Sequence, residues 1–260
     1  RGQHRQAARN TSMQTSSETW EVNVAQVKLR AIYEGKLPAL IAALAEIENE
    51  ALSYPQLLDI SAHSYGTATI KLLVVGQQTQ TWYGEWKDIK ARDAAETVRE
   101  LLQLYREFNL GDGKRHTPFW QCAHKLYKLL NPTGADGFIW SNLIKMDGWT
   151  EKGKWGYPGS LVEERINESF NVLTCEVAVA KPDVVVFFTG HSYDECIERS
   201  FPGVQFSATP SVGFDTNWLC LIKHDLLPAH SYRTYHPGYL NRQRNGHAVL
   251  EAIRALVLDK

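Results

Sequence analysis

IKLLVVGQQTQTWYGEW, residues 70–86, is the stretch whose reading decides the fold. Its apolar run, interrupted only by Lys71, ends on Gly76 and passes at once into amides, hydroxyls and aromatics. A strand buried on both faces reads as a continuous apolar run. In an open parallel sheet, ligands sit outside the carboxyl ends of such strands, so residues 77–85 are the first place to look for chemistry. Later segments end the same way. GFIWSNLIKM (residues 137–146) carries Asn142 near its polar end, DVVVFFTG (residues 183–190) stops on Gly190, and residues 229–235 run into His236-Pro237-Gly238-Tyr239-Leu240.

Between these strands, apolar residues recur at helical spacing over residues 91–109, 118–130, 160–180 and 246–258, with a short helix over 191–199. The first of these is closed by the Gly111-Asp112-Gly113 turn and the second stops before Asn131-Pro132. Ahead of the first strand, Val24, Val27 and Ile32, then Leu40, Ile41, Leu44, Ile47 and Leu52, predict two amphipathic helices broken near Gly35 and Pro38, with Pro38 at a helix start. Residues 204–208 and 218–222 read as weaker strands. Strands alternating with helices predict a three-layer α/β/α domain around a mainly parallel sheet, with Gly76, Asn142, Gly190 and His236 along one edge. Residues 1–12 are basic and polar without periodicity and are expected to be a tag or loose tail, leaving residues 13–260 as one domain with N-terminal helices.

Composition narrows the function classes. The 28 Lys and Arg nearly balance 29 Asp and Glu, so contact with nucleic acid must come from local clusters. Cys122, Cys175, Cys196 and Cys220 stand singly, which argues for reduced, packed thiols and against a zinc knuckle or iron–sulfur site. No metal or other cofactor is expected. No apolar run approaches the ~20 residues that span a bilayer, and no secretory signal opens the chain, so a soluble cytoplasmic protein is expected. The G-x-S-x-G and G-x-x-x-x-G-K-[ST] patterns are absent, which disfavours a hydrolase elbow or a phosphate loop. The eight Trp and eleven Tyr include several in strand-end segments, where they suit either core packing or a pocket that stacks a planar ligand.

Taken in order, VVGQQTQTWYG, FIWSNLIK, KPDVVVFFTG after a helix ending LTCEVAVA, and HPGYL resemble the strand-end motifs of the uracil-DNA glycosylase superfamily over residues 71–260. The resemblance implies a monomeric, monofunctional DNA glycosylase that flips a damaged or modified pyrimidine out of DNA and hydrolyses its N-glycosidic bond. Carried over by position, Gln77 helps hold the base through its backbone, Asn142 reads the pyrimidine edge, and His236 donates to the base oxygen as charge develops. Gln78 falls where many members keep an Asp that orients the attacking water. A neutral amide positions water but cannot take its proton, and Glu85, Asp88 and Asp147 are the acids available to replace it. Trp82 and Tyr83 stack or fence the flipped base, with Tyr83 beside the pyrimidine C5, although the pair serves equally well as a hydrophobic cap. Leu240 matches the apolar wedge that replaces the extruded nucleotide. Gly238 stands where a Ser contacts phosphate, and Arg242 and Arg244 grip flanking phosphates.

The same reading leaves Arg233 inside a strand and gives His191 and Ser192 an ordinary capping role. Arg115, Lys125 and Lys128 read as a solvated helix face. No lysine nucleophile stands in the strand-end loops, so hydrolysis fits better than a Schiff-base lyase. The altered first loop points away from plain uracil and toward a bulky modified cytosine, such as the glucosylated hydroxymethylcytosine that related enzymes excise from virus DNA in antiphage defence. A catalytically degenerate nucleic-acid-binding module of the same fold and a conventional uracil-DNA glycosylase are the alternatives.

Overall fold

A computed structural model describes residues 2–45, 47, 51–62, 64–135, 137–244 and 246–259, with side chains from Glu21 onward except that of Pro210. In chain order the elements are α1 (Gly2–Leu44), β1 (Leu72–Gln78), α2 (Ala94–Phe108), α3 (Pro118–Leu130), β2 (Ile139–Ile144), β3 (Gly148–Trp149), β4 (Trp155–Gly156), α4 (Ser160–Phe170), α5 (Leu173–Ala180), β5 (Val184–Phe188), α6 (Asp194–Ser200), β6 (Gln205–Ala208), β7 (Leu219–Lys223), β8 (His230–Thr234), α7 (Pro237–Leu240) and α8 (Ala248–Leu258).

Six strands form one sheet in the order β2-β1-β5-β8-β7-β6. The first four are mutually parallel, β7 adds antiparallel to β8, and β6 pairs antiparallel with β7 and so runs with the first four. Helices cover both faces, which is why the parallel strands read as unbroken apolar runs. Residues 72–75 and all of β2 and β5 are buried. α1 packs on α4 and α5, and α3 packs on α8. The domain is thus a three-layer α/β/α sandwich around a mainly parallel sheet.

Local chemistry sets most boundaries. Asp93 caps α2 by accepting from the Glu96 N–H, and Asn109 ends that helix in the left-handed conformation, ahead of the expected Gly111 turn. α3 opens on Pro118, whose missing N–H costs nothing in the first turn. Residues 160–180 do not form one helix. The chain leaves helical geometry at Asn171, whose side-chain amide donates to the Ser200 carbonyl at 2.9 Å, an alternative to continuing the helix.

The N-terminal expectation needs larger correction. α1 is continuous, with Pro38 inside it rather than at a helix start, and residues 2–12 form its first turns instead of a loose tail. Val24 and Val27 are 49% and 70% exposed. The buried stripe is Leu29, Tyr33, Leu37, Leu40 and Leu44, at spacings of three and four residues. That stripe holds the helix together across the hydrogen bond that Pro38 removes, an interruption worth about 3 kcal/mol.

A buried polar cluster joins α1, β2 and α5. Lys145 Nζ meets Glu176 Oε2 at 2.6 Å, Ser141 donates to the same oxygen at 2.7 Å, and Tyr33 donates to Oε1 at 2.8 Å. Lys145 also contacts the Ser141 hydroxyl. Burial outweighs the carboxylate and holds the Lys145 ammonium below its ordinary range.

Candidate active site

The parallel register sets Asn142 of β2 directly beside Gly76 of β1. A Cβ at residue 76 would lie 2.4 Å from Asn142 Oδ1 and 3.2 Å from the ring of Phe119. Glycine is therefore what lets the Asn142 amide and a ring from α3 close over the strand end. Asn142 Nδ2 donates to Gln56 Oε1 at 3.2 Å, and Gln56 donates in turn to the Trp140 carbonyl at 3.3 Å. That chain orients the amide and, among the described residues, leaves Oδ1 and a second N–H without a partner and open to a ligand. Phe119 packs edge-on against Trp120 and Phe188. Its sequence position is indistinguishable from that of any other residue of an amphipathic helix, and only the tertiary contact brings it to the site.

Next along the sheet, the Gln77 amide donates to the Thr189 carbonyl at 2.7 Å. Gln78 Oε1 accepts from the Tyr193 hydroxyl at 2.7 Å, and burial pushes that phenol up to about 12, so it stays a donor. The Gln78 amide nitrogen makes no hydrogen bond among the described residues, so its N–H groups remain for a water. From the other side, the His236 backbone nitrogen lies 3.9 Å from where a Cβ on Gly190 would stand. Gly190 takes φ 76° and donates to the Thr234 carbonyl. The ends of β1, β5 and β8 thus converge at residues 189–190. The hydroxyls of Thr189 and Thr234, both buried there, have no partner among the described residues.

His236 caps α7, its Nδ1 accepting from the Gly238 N–H at 3.1 Å. Burial, and secondarily the Arg242 charge, lowers its proton affinity below the ordinary histidine range. The ring is therefore neutral near pH 7, and with Nδ1 occupied as acceptor its proton sits on Nε2. A neutral imidazole donating from Nε2 is suited to an oxygen that gains negative charge.

The depressed proton affinity also sets a sign. A group that prefers its neutral form when folded contributes stability that is full above the unfolded histidine value, roughly 6.5, and is lost as pH falls through its folded value. His247 is lowered in the same direction by burial and by Lys125. Thermal melts are expected to lose midpoint as pH drops from about 6.5 toward 5. His236→Asn, which keeps an oxygen for the Gly238 N–H, should flatten that loss, and parallel profiles for the two proteins would contradict the assignment.

The acids that were candidates to replace the missing Asp separate clearly. Glu85 pairs with Lys87 at 2.6 Å and Asp88 is exposed in a turn. Asp147 is fully buried, accepting from the Thr79 hydroxyl at 2.6 Å and from the Thr81 N–H at 2.7 Å. It clamps the loop after β1, in which Thr81 and Tyr83 both take positive φ.

Three assigned side chains lie elsewhere than the resemblance places them, and Arg233 lies inside β8 as expected. Trp82 is 4% exposed and packed against Phe108 and Trp140, and the exposed Tyr83 donates its hydroxyl to the Leu104 carbonyl of α2 at 2.9 Å. Both rings take the hydrophobic-cap role that the sequence also allowed, Trp82 between α2 and β2 and Tyr83 against α2. Leu240 is fully buried in the main core, because the single turn of α7 points it inward, so it does not project as a wedge. Leu240→Ala is expected to cost about 2–5 kcal/mol in urea unfolding, the range for a core truncation. Loss of DNA affinity without loss of stability would restore the wedge. Arg233 is buried and bidentate to Asp194, at 2.9 and 3.0 Å, while donating to the Thr216 and Asn217 carbonyls, which removes it from phosphate binding. Arg242 and Arg244 are exposed, and Arg242 lies beside His236.

A cleft of about 430 Å³ opens at the opposite edge of the sheet, between α1 and residues 178–181. Its polar lining is Glu21, Lys28, Lys71, Lys181 and Tyr65, without the amides and imidazole that converge at the strand ends. Size alone therefore does not locate the chemistry. The four cysteines are free thiols. Among the described residues no helix is long and apolar enough to cross a membrane.

A three-layer α/β/α domain with amides and a neutral imidazole at the ends of its parallel strands is the class that fold and site define. No protein-family model and no curated protein matches the chain.

Proposed function

We propose that this protein is a monofunctional DNA glycosylase of the uracil-DNA glycosylase type, acting on a modified pyrimidine extruded from DNA inside the cell. The observation that carries the reading is His236, a neutral imidazole whose tautomer is fixed by the Gly238 N–H, at the convergence of strand ends that also present Asn142 and Gln78. In the reaction the bond from the sugar C1′ to the base nitrogen breaks, its electron pair leaves with the base, and the base oxygen gains negative charge. The His236 Nε2–H stabilises that oxygen. Asn142 holds the base edge through its free acceptor and donor, and the Phe119 ring stands beside it. A water held by the Gln78 amide attacks the oxocarbenium-like sugar. Because that carbon is strongly electrophilic, positioning substitutes for a general base, and the water proton passes to solvent or to the departing base.

A hypermodified, glucosylated cytosine of phage DNA is the favoured base. Trp82 and Tyr83 are turned to α2 and the core, which supports room for a substituent at C5. A catalytically degenerate binding module is the second reading, favoured by Gln78 in place of an acid. Both are tested by base release, with chromatographic detection, from duplex and single-stranded DNA carrying uracil, hypoxanthine, hydroxymethylcytosine or its glucosylated forms. Release of the glucosylated base, leaving an abasic site without strand scission, is expected. Release of uracil alone identifies a conventional enzyme, and DNA binding without release identifies the binding module.

A further inference from the structure

The chain leaving β8 carries a group of rings that the reaction does not use. Tyr235 and Tyr239 stand with centroids 4.3 Å apart at 34°, and Trp218 lies 5.3 and 5.9 Å from them. His191 meets Tyr235 edge-on at 5.6 Å, Phe214 continues the row beyond Trp218 at 6.2 Å, and the Arg242 guanidinium sits 6.0 Å from the Tyr239 ring centre. His191 and Arg242 are exposed, and the other four are half-buried. Core aromatics of this fold, such as Tyr33 and Phe187, are fully covered. The row begins at the residue before His236 and includes the residue before Leu240, so it borders the proposed site while Leu240 itself is buried.

A contiguous row of partly exposed rings, flanked by Arg242, has the makings of a single-strand nucleic-acid surface. Any base can stack on an aromatic face, and a guanidinium over a ring adds both cation–π attraction and a phosphate contact. Base-paired DNA keeps its faces stacked internally and offers none to such a surface. Two acids face the row: Asp215, which acts on Tyr235, accepts from the Asn217 and Trp218 N–H groups in its own turn, and Asp194, which acts on His191, is paired with Arg233.

We propose that Trp218, Tyr235 and Tyr239 form a stacking platform for an unpaired base next to the extruded one, and that the protein's substrate is DNA unpaired around the target. Tyr239 is the central ring. This rests on the glycosylase reading for its location, but it is measured without catalysis.

Fluorescence anisotropy with a labelled 12-nucleotide oligodeoxyadenylate, unmodified, and with the same strand paired to its complement tests it. Wild type is expected to bind the single strand at least several-fold more tightly than the duplex. Tyr239→Ala and Trp218→Ala should each weaken single-strand binding by roughly tenfold. Tyr239→Phe, which keeps the ring, should bind as wild type does and guards against a folding artefact. Tyr239→Ala should leave the salt dependence unchanged, whereas Arg242→Ala should lower the slope by about one. Alanine variants within twofold of wild type, preference for duplex, or no DNA binding, as for a surface that docks a protein, overturn the platform. Base release measured in parallel reports separately on the glycosylase reading, since a platform can fail while excision survives and the reverse.

Discussion

Replacing His236 by alanine is expected to lower single-turnover base release by about 10²–10³-fold, the usual consequence of deleting one preorganised donor to a developing oxyanion. The expectation follows from position and protonation together. Burial keeps the ring neutral, the Gly238 N–H occupies Nδ1, and the proton is left on Nε2. The donor is thus set before substrate arrives and needs no reorganisation during bond cleavage. Binding of an abasic product analogue should change by only a few fold, because the interaction strengthens in the transition state. His236→Asn keeps the cap on α7 and separates lost chemistry from lost helix. If it releases base as fast as wild type, the imidazole is not the donor. If alanine reduces binding and release equally, His236 is structural.

How much of this was legible in the sequence depended on range. β5 and α3 lie where the apolar runs, Pro118 and the Asn131-Pro132 stop put them, because those signals are local. Asn142 and Gly76 could be placed near strand ends for the same reason, although each strand runs two residues further than its polar turn suggests. Their mutual contact could not, since it depends on register between strands distant in sequence. Leu40 and Leu44 of the α1 stripe were read from the sequence, but Leu29, Tyr33 and Leu37 were missed because Val24 and Val27 fit a helical period on the wrong face, and only packing against the domain selects the right side. Leu240 and Trp82 were placed by positional likeness to a motif, and burial sends both elsewhere. Phe119 carried no signal at all.

The second large effect is on folding. Lys145→Met is expected to cost about 3–5 kcal/mol in urea unfolding, roughly 10²–10³-fold or more in the folding equilibrium, because it leaves the Glu176 carboxylate buried without its cation. Lys145 stands just past the end of β2 and Glu176 within the apolar helix α5, so nothing in either segment announces the pair. Ser141 and Tyr33 supply two hydrogen bonds to Glu176, at 2.7 and 2.8 Å, but neither carries charge. Tyr33→Phe should therefore cost less, about 1–3 kcal/mol, for losing its bond to the buried Glu176 carboxylate and the one its oxygen accepts from the Leu58 N–H at 3.1 Å. Lys145→Met combined with Glu176→Leu removes both charges and should recover most of the loss, since an apolar replacement avoids the desolvation that the pair itself bears. A double mutant as unstable as Lys145→Met alone would mean that shape, not charge, holds α1, β2 and α5 together. Because Ser141 adjoins Asn142, a change in urea slope for Lys145→Met accompanied by slower base release would show that this cluster also fixes the strand end proposed to read the base.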